Sequence, residues 1–151
     1  MPAYWATAGR VILGLFFLLS GVGKLIGEPM AMQEMMRHGF PLVVPLYWAT
    51  AVFETVVGGA LVLGVATAWS SALLALFTLL TALTIHDFWN DAAGSMERMS
   101  NMINFEKNFA IIGGLLVVAA LGPGPYAWRP GAYGTHDAHR APNDWRGKAV
   151  H

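Results

Sequence analysis

Not one cysteine occurs in the 151 residues of this chain. That absence excludes disulfides, thiol catalysis, iron–sulfur ligation and thioether-linked haem together. Charge is scarce as well. Asp, Glu, Lys and Arg make up 12% of the chain, where a soluble globular protein carries roughly 25%. The nine basic and nine acidic residues cancel to a formal net charge of +0. The chain therefore lacks the basic face that a nucleic-acid binder needs to displace counterions. It also offers no glycine-rich phosphate loop behind a strand and no Ser/His/Asp arrangement.

What is abundant is apolar: 56% of the residues are hydrophobic. The length favours one domain. A helix needs about 20 apolar residues to cross a bilayer, and four runs approach that: Trp5 to Ile26, Leu46 to Val65, Trp69 to Ile85, and Asn108 to Leu121, extendable back to Phe105. The last is short for a span and must thin the bilayer locally or begin in the interface. Gly64 to Ser70 is a tight link, so the second and third runs form an antiparallel hairpin. Gly39, Phe40, Pro41 and Pro45 punctuate the longer connection from Gly27 to Pro45. Between His86 and Lys107, the residues Met96, Met99, Ile103 and Phe105 recur at helical spacing in a polar stretch, which predicts an amphipathic helix lying on the membrane. The expected fold is all-α: an antiparallel bundle of four transmembrane helices with that interfacial helix between spans three and four.

Residues 1–125 form the membrane domain in this reading, and 126–151 a polar, flexible tail after Gly122-Pro123-Gly124-Pro125. A cleaved leader fits the N-terminus poorly, because the apolar run is long and ends in Lys24 rather than a small-residue site. Arg129, Arg140, Arg146 and Lys148 gather in the tail. The positive-inside rule then puts both termini in the cytoplasm. Trp5, Tyr47, Trp48, Trp69, Trp89 and Trp128 fall at span ends as an aromatic belt.

An ionisable group at the bilayer centre costs about 2.5–3.5 kcal/mol on insertion scales. Arg10, Lys24, Glu54, His86, Asp87, Glu106 and Lys107 lie in or beside the spans, with the uncharged Asn108. Arg10, Gly14, Phe17, Gly21 and Lys24 share one stripe of the first helix, with glycines that admit a close neighbour. Glu54 falls near the middle of the second span on a face with Thr50 and Gly58. A lone carboxylate there is neutral or paired, and Arg10 is the first expected partner, as a structural Arg10–Glu54 pair. With the termini inside, Lys24, His86, Asp87, Glu106, Lys107 and Asn108 all fall near the outer face, with Glu54 below them.

Plainer explanations stand beside these. Lys24 and Lys107 can snorkel to the interface, Asp87 can be a solvated helix end, and His86 can be a hydrogen-bonded interface histidine. Helix ends do not explain Glu54 at mid-depth beneath a histidine. The methionines, including Met30, Met32, Met35 and Met36, read as flexible apolar contacts rather than a copper array. No metal site is expected at the tail's His136 and His139, which lack further ligands. Haem is not expected either, because His86 alone lies in a span.

The ordered set of these features resembles the DoxX family of small bacterial membrane proteins. The likeness begins with Arg10, then Leu13-Gly14-Leu15-Phe16-Phe17-Leu18-Leu19-Ser20-Gly21 and Lys24. It continues through Gly39-Phe40-Pro41, Glu54 with Gly58 and Gly59, and His86-Asp87-Phe88-Trp89. It ends with Lys107-Asn108-Phe109-Ala110-Ile111-Ile112-Gly113-Gly114-Leu115-Leu116 and Gly122-Pro123-Gly124. The resemblance implies a four-helix fold in the bacterial inner membrane and an association with redox metabolism. The related DoxD type looks like the quinone-reducing part of thiosulfate:quinone oxidoreductase.

The first functional expectation is a quinone-linked redox component, with quinone or quinol bound at the outer end of the bundle. Glu54 and His86 would accept protons as the catalytic pair, Lys24, Lys107 and Asn108 would donate hydrogen bonds to the ring oxygens, and Trp89 would flank the ring. Electrons would come from a partner. The second expectation is a noncatalytic anchor or scaffold for an oxidoreductase subunit, or a homo-oligomer, with the Met96–Phe105 segment as the contact. The third is a small transporter.

Overall fold

The computed structural model describes residues 4–124 and 126–128. The polar tail expected to be flexible, with His136 and His139, lies outside the described residues beyond residue 128. Among the described residues there are five α-helices, α1 (Tyr4–Leu25), α2 (Met30–Arg37), α3 (Val43–Leu63), α4 (Thr67–Thr84) and α5 (Met96–Leu121), with one 3₁₀ turn at Phe88–Asn90 between the last two. There is no strand among the described residues. Four of the helices, α1, α3, α4 and α5, are long and apolar enough to cross a membrane.

The bundle is built from two close pairs, α1 with α3 and α4 with α5, while α3 and α4 touch only slightly. The buried face of α1 is Arg10, Gly14, Phe17, Gly21 and Lys24. That of α3 is Tyr47, Ala51, Glu54, Gly58 and Leu61. Both stripes step by four and three residues, as one face of an α-helix must. They meet antiparallel, and glycine lets the backbones touch. A Cβ at Gly21 would lie 2.5 Å from the Thr55 amide nitrogen, and one at Gly58 would lie 2.6 Å from the Leu18 amide nitrogen.

Phe17, Leu61, Leu74, Ala75, Leu115 and Val118 form the apolar core. Threonine hydroxyls are quieted by their own helices, with Thr55 donating to the Ala51 carbonyl at 2.7 Å and Thr78 to the Leu74 carbonyl at 2.7 Å. The α3–α4 link turns at Gly64, φ +79°, where the amides of Gly64 and Val65 return to the carbonyls of Leu61 and Ala60.

Two features differ from the sequence expectation. The segment Met96–Phe105 is helical, but it is no separate helix on the membrane: it runs unbroken into the fourth span as one 26-residue helix, about 39 Å long at 1.5 Å per residue. Glu106, Lys107 and Asn108 contain no breaker, so the helix started by the Ser95 cap, which accepts from the Arg98 amide at 3.1 Å, continues. The connection after α1 is also more ordered than expected, since it holds α2.

Candidate functional site

The side chain of a helical residue leans toward its helix N-terminus. Lys24, near the C-terminal end of α1, therefore reaches back into the bundle instead of out to the interface. Its ammonium donates to Ser20 Oγ at 2.8 Å and to Glu54 Oε2 at 2.6 Å. Both partners of the ion pair are buried, with side chains 11% and 6% exposed.

The expected Arg10–Glu54 pair does not form. Antiparallel packing sets Arg10 beside the C-terminal end of α3, whose last carbonyls have no donors within their own helix. The guanidinium, 1% exposed, gathers them. It donates to the Leu61 carbonyl at 2.6 Å and to that of Val62, and then to Pro123 at 3.0 Å and Tyr126 at 3.2 Å beyond α5. Glu54 lies seven residues before Leu61, about 10 Å along the helix, and Lys24 occupies it.

Above the ion pair the bundle opens into a cavity of about 970 Å³. Lys24, Glu54 and Ser20 lie at its base, with Thr50, Leu46, Phe77, Leu80 and Thr81 on its walls. His86 lines it from the turn after α4, and its Nδ1 is buried without a hydrogen-bond partner among the described residues. A polar stripe of α5, Glu97, Asn101 and Asn104, lines the opposite side. The strap α2 crosses the mouth, held by Arg37 to Glu97 of α5 and to its own Glu34. His38 continues the strap, with Nε2 at 3.1 Å from Asp87 Oδ1 and Nδ1 at 2.9 Å from the Glu34 carbonyl. The Tyr47 hydroxyl lies between the carbonyls of Lys24 and Glu28, at 2.8 and 2.6 Å, and closes the end of α1.

Of the six residues expected together at this end, Lys24, Glu54 and His86 line one cavity. Lys107, Asn108 and Trp89 do not. The Lys107 ammonium is turned outward to Asn104 Oδ1 at 2.7 Å. Asn108 is buried one turn deeper on the stripe of Asn101 and Asn104, where the helices have closed. Trp89 is 47% exposed and packs on Phe105, ring centroids 5.7 Å apart, beside Phe88 and Phe109.

Sequence reasoning missed Ser20, Arg37, Glu97, Asn101 and Asn104. The signal for the last three was the spacing Glu97, Asn101, Asn104, Asn108, which becomes a stripe only if the polar segment and the span are one helix.

Fold and site together define a polytopic membrane protein with a largely apolar cavity, floored by a buried ion pair, at one end of a four-helix bundle. Residues 5–87 match the DoxX family. The chain is 34% identical over 118 residues to Inner membrane protein YphA of Escherichia coli (strain K12), covering 76% of this chain and 81% of that one. It is 34% identical over 119 residues to Inner membrane protein YqjF of the same organism, covering 78% and 84%. The chain belongs to the DoxX family. No solved structure matches it.

Proposed function

We propose that the cavity binds the ring of a membrane quinone or quinol, and that the chain is the membrane component of a redox system in the bacterial inner membrane. The observation that carries this reading is the gathering of Lys24, Glu54 and His86 on one partly apolar cavity. The residues suit such a ring. An ammonium has three donors, and Lys24 uses two, which leaves one for a ring oxygen. Glu54 Oε1 accepts no hydrogen bond among the described residues and is free to receive one from a quinol hydroxyl. His86 Nδ1 is a second proton-holding atom, and Phe77 and Leu80 give the ring an apolar wall. A quinone supplies two-electron chemistry, taking up two electrons and two protons to become quinol; a partner oxidoreductase supplies the electrons. The chain itself orients the ring, excludes bulk water beneath α2 and holds protons at Glu54 and His86. Both termini are cytoplasmic in this reading, supported by the basic tail, so the cavity faces the outer side. The inner-membrane location is supported by the names of the two relatives.

Protein purified from membranes is the test. Solvent extraction should release quinone, and decylubiquinone should bind the emptied protein. Glu54→Gln should abolish quinone-dependent turnover with the native partners while the bundle stays assembled. Absence of both extracted and rebound quinone would end this reading. An anchoring role is favoured by a different observation, the exposed Met96, Met99 and Ile103 on the segment of α5 whose polar stripe lines the cavity. A co-purifying partner that keeps full activity with His86→Ala would support that role instead.

A further inference from the structure

A second, apolar hollow of about 290 Å³ lies between α3 and α4. Ala49, Phe53, Leu73 and Leu76 belong to it alone, whereas Thr50, Phe77 and Leu80 line both it and the cavity of Lys24, Glu54 and His86. The two spaces are therefore neighbours across one thin wall. It is also a seam between the two helix pairs, far more sparsely packed than the interface within either pair. From Leu80 to Leu73 the hollow descends seven residues of α4, about 10 Å, away from the polar mouth and toward the mid-plane of the bilayer. The rings of Phe53 and Phe77, with centroids 5.2 Å apart, flank it. Leu73 and Leu76 are exposed at its edge, so the seam opens sideways onto the hydrocarbon.

The watery mouth differs. There Arg37 bridges Glu34 and Glu97, and His38 meets Asp87, so side-chain contacts cross from α2 to α5 and to the turn after α4. A ligand arriving from water must break them. One arriving from the bilayer needs only to part apolar side chains, which are held by dispersion and burial alone.

We infer that the α3–α4 seam is the lateral gate of the cavity and the channel for the prenyl chain of its quinone. This rests on the quinone reading above. A ring over Lys24 and Glu54 then has its chain leave past Thr50, Phe77 and Leu80, lie along Leu76 and Leu73, and pass into the lipid. The channel gives preference for long-chain quinones over the ring alone, because each methylene buried in it tightens binding about fourfold.

The experiment measures binding of two probes to full-length protein in nanodiscs: decylubiquinone, and the same ring without a chain, 2,3-dimethoxy-5-methylbenzoquinone. Ala49→Trp and Leu76→Trp fill the hollow without touching the polar cavity. Each should weaken decylubiquinone binding by about tenfold or more, the loss of roughly two buried methylenes, and leave the bare ring within about twofold. Leu19→Trp, at an exposed position lining neither space, should change neither and serves as the folding control. Equal weakening of both probes, or no weakening by either variant, overturns the channel. A wild type that holds the bare ring as tightly as the chained one overturns the channel and leaves the cavity reading standing. A wild type that binds neither overturns the cavity reading and the channel with it. Phospholipid that co-purifies with the wild type and is lost from Ala49→Trp, without chain-dependent quinone binding, assigns the seam to an acyl chain and also overturns the proposal.

Discussion

Remove Lys24 or Glu54 alone, and the loss of stability should exceed that of the variant lacking both. In Lys24→Met the Glu54 carboxylate, 4% exposed, loses its charged donor at 2.6 Å. In Glu54→Leu the ammonium keeps only Ser20 Oγ at 2.8 Å. Breaking one side of a buried pair costs about 3–5 kcal/mol in soluble proteins, and an unpaired charge at mid-span costs about 2.5–3.5 kcal/mol on insertion scales. The cavity beside the pair softens both figures, so each single variant should lose about 2–3 kcal/mol. The double variant Lys24→Met/Glu54→Leu leaves no orphan charge and replaces the pair with apolar side chains of similar size. It should stay within about 1 kcal/mol of the parent. The coupling energy is then at least about 3 kcal/mol. Reversible SDS unfolding in mixed micelles, followed by far-UV circular dichroism, measures all four corners of the cycle. Additive losses, with coupling below about 0.5 kcal/mol, would refute the claim that these two residues are each other's principal partner.

Three further outcomes are expected. Gly21→Ala pushes a Cβ to 2.5 Å from the Thr55 backbone and should cost about 1–3 kcal/mol, whereas Gly113→Ala, which meets nothing within 4 Å, should be neutral or stabilising by up to about 1 kcal/mol; the same unfolding assay reads both. Arg10→Lys replaces a fork that serves four carbonyls with a three-donor ammonium and should cost about 1–3 kcal/mol, with faster maleimide labelling of a cysteine introduced at Ala127. A phosphatase fused to the C-terminus should be inactive and a green fluorescent protein bright, as the basic tail predicts; the reverse pattern would invert the orientation.

Much of the bundle was legible because its chemistry is periodic. The stripe from Arg10 to Lys24 carries its glycines at helical spacing, and the Gly64–Ser70 link is too short for anything but a hairpin. Partner choice was not legible in the same way. Depth alone sets Arg10 and Lys24 on either side of Glu54. The backward lean of helical side chains and the antiparallel register decide for Lys24, while the carbonyls of Leu61 and Val62 at the end of α3 draw Arg10 away. Met96–Phe105 misled because amphipathic composition reports which faces are wet, not where a helix stops. His86 lines the cavity and Trp89, three residues on, does not, because nearness in sequence says little once the chain has left α4 and entered a 3₁₀ turn.

Arg10 also has a bearing on how the protein is made. Its guanidinium lies in the first of the four spans, yet its acceptors arrive 51 and 52 residues later from α3 and 113 and 116 residues later beyond α5. Until α3 has been inserted, the nascent first helix holds a cation with no acceptor inside the lipid, and the last two carbonyls come only as translation passes the fourth span. A chain cut short before Pro123 would keep two of the four acceptors, so the charge in the first span is fully met only after the last span has been made.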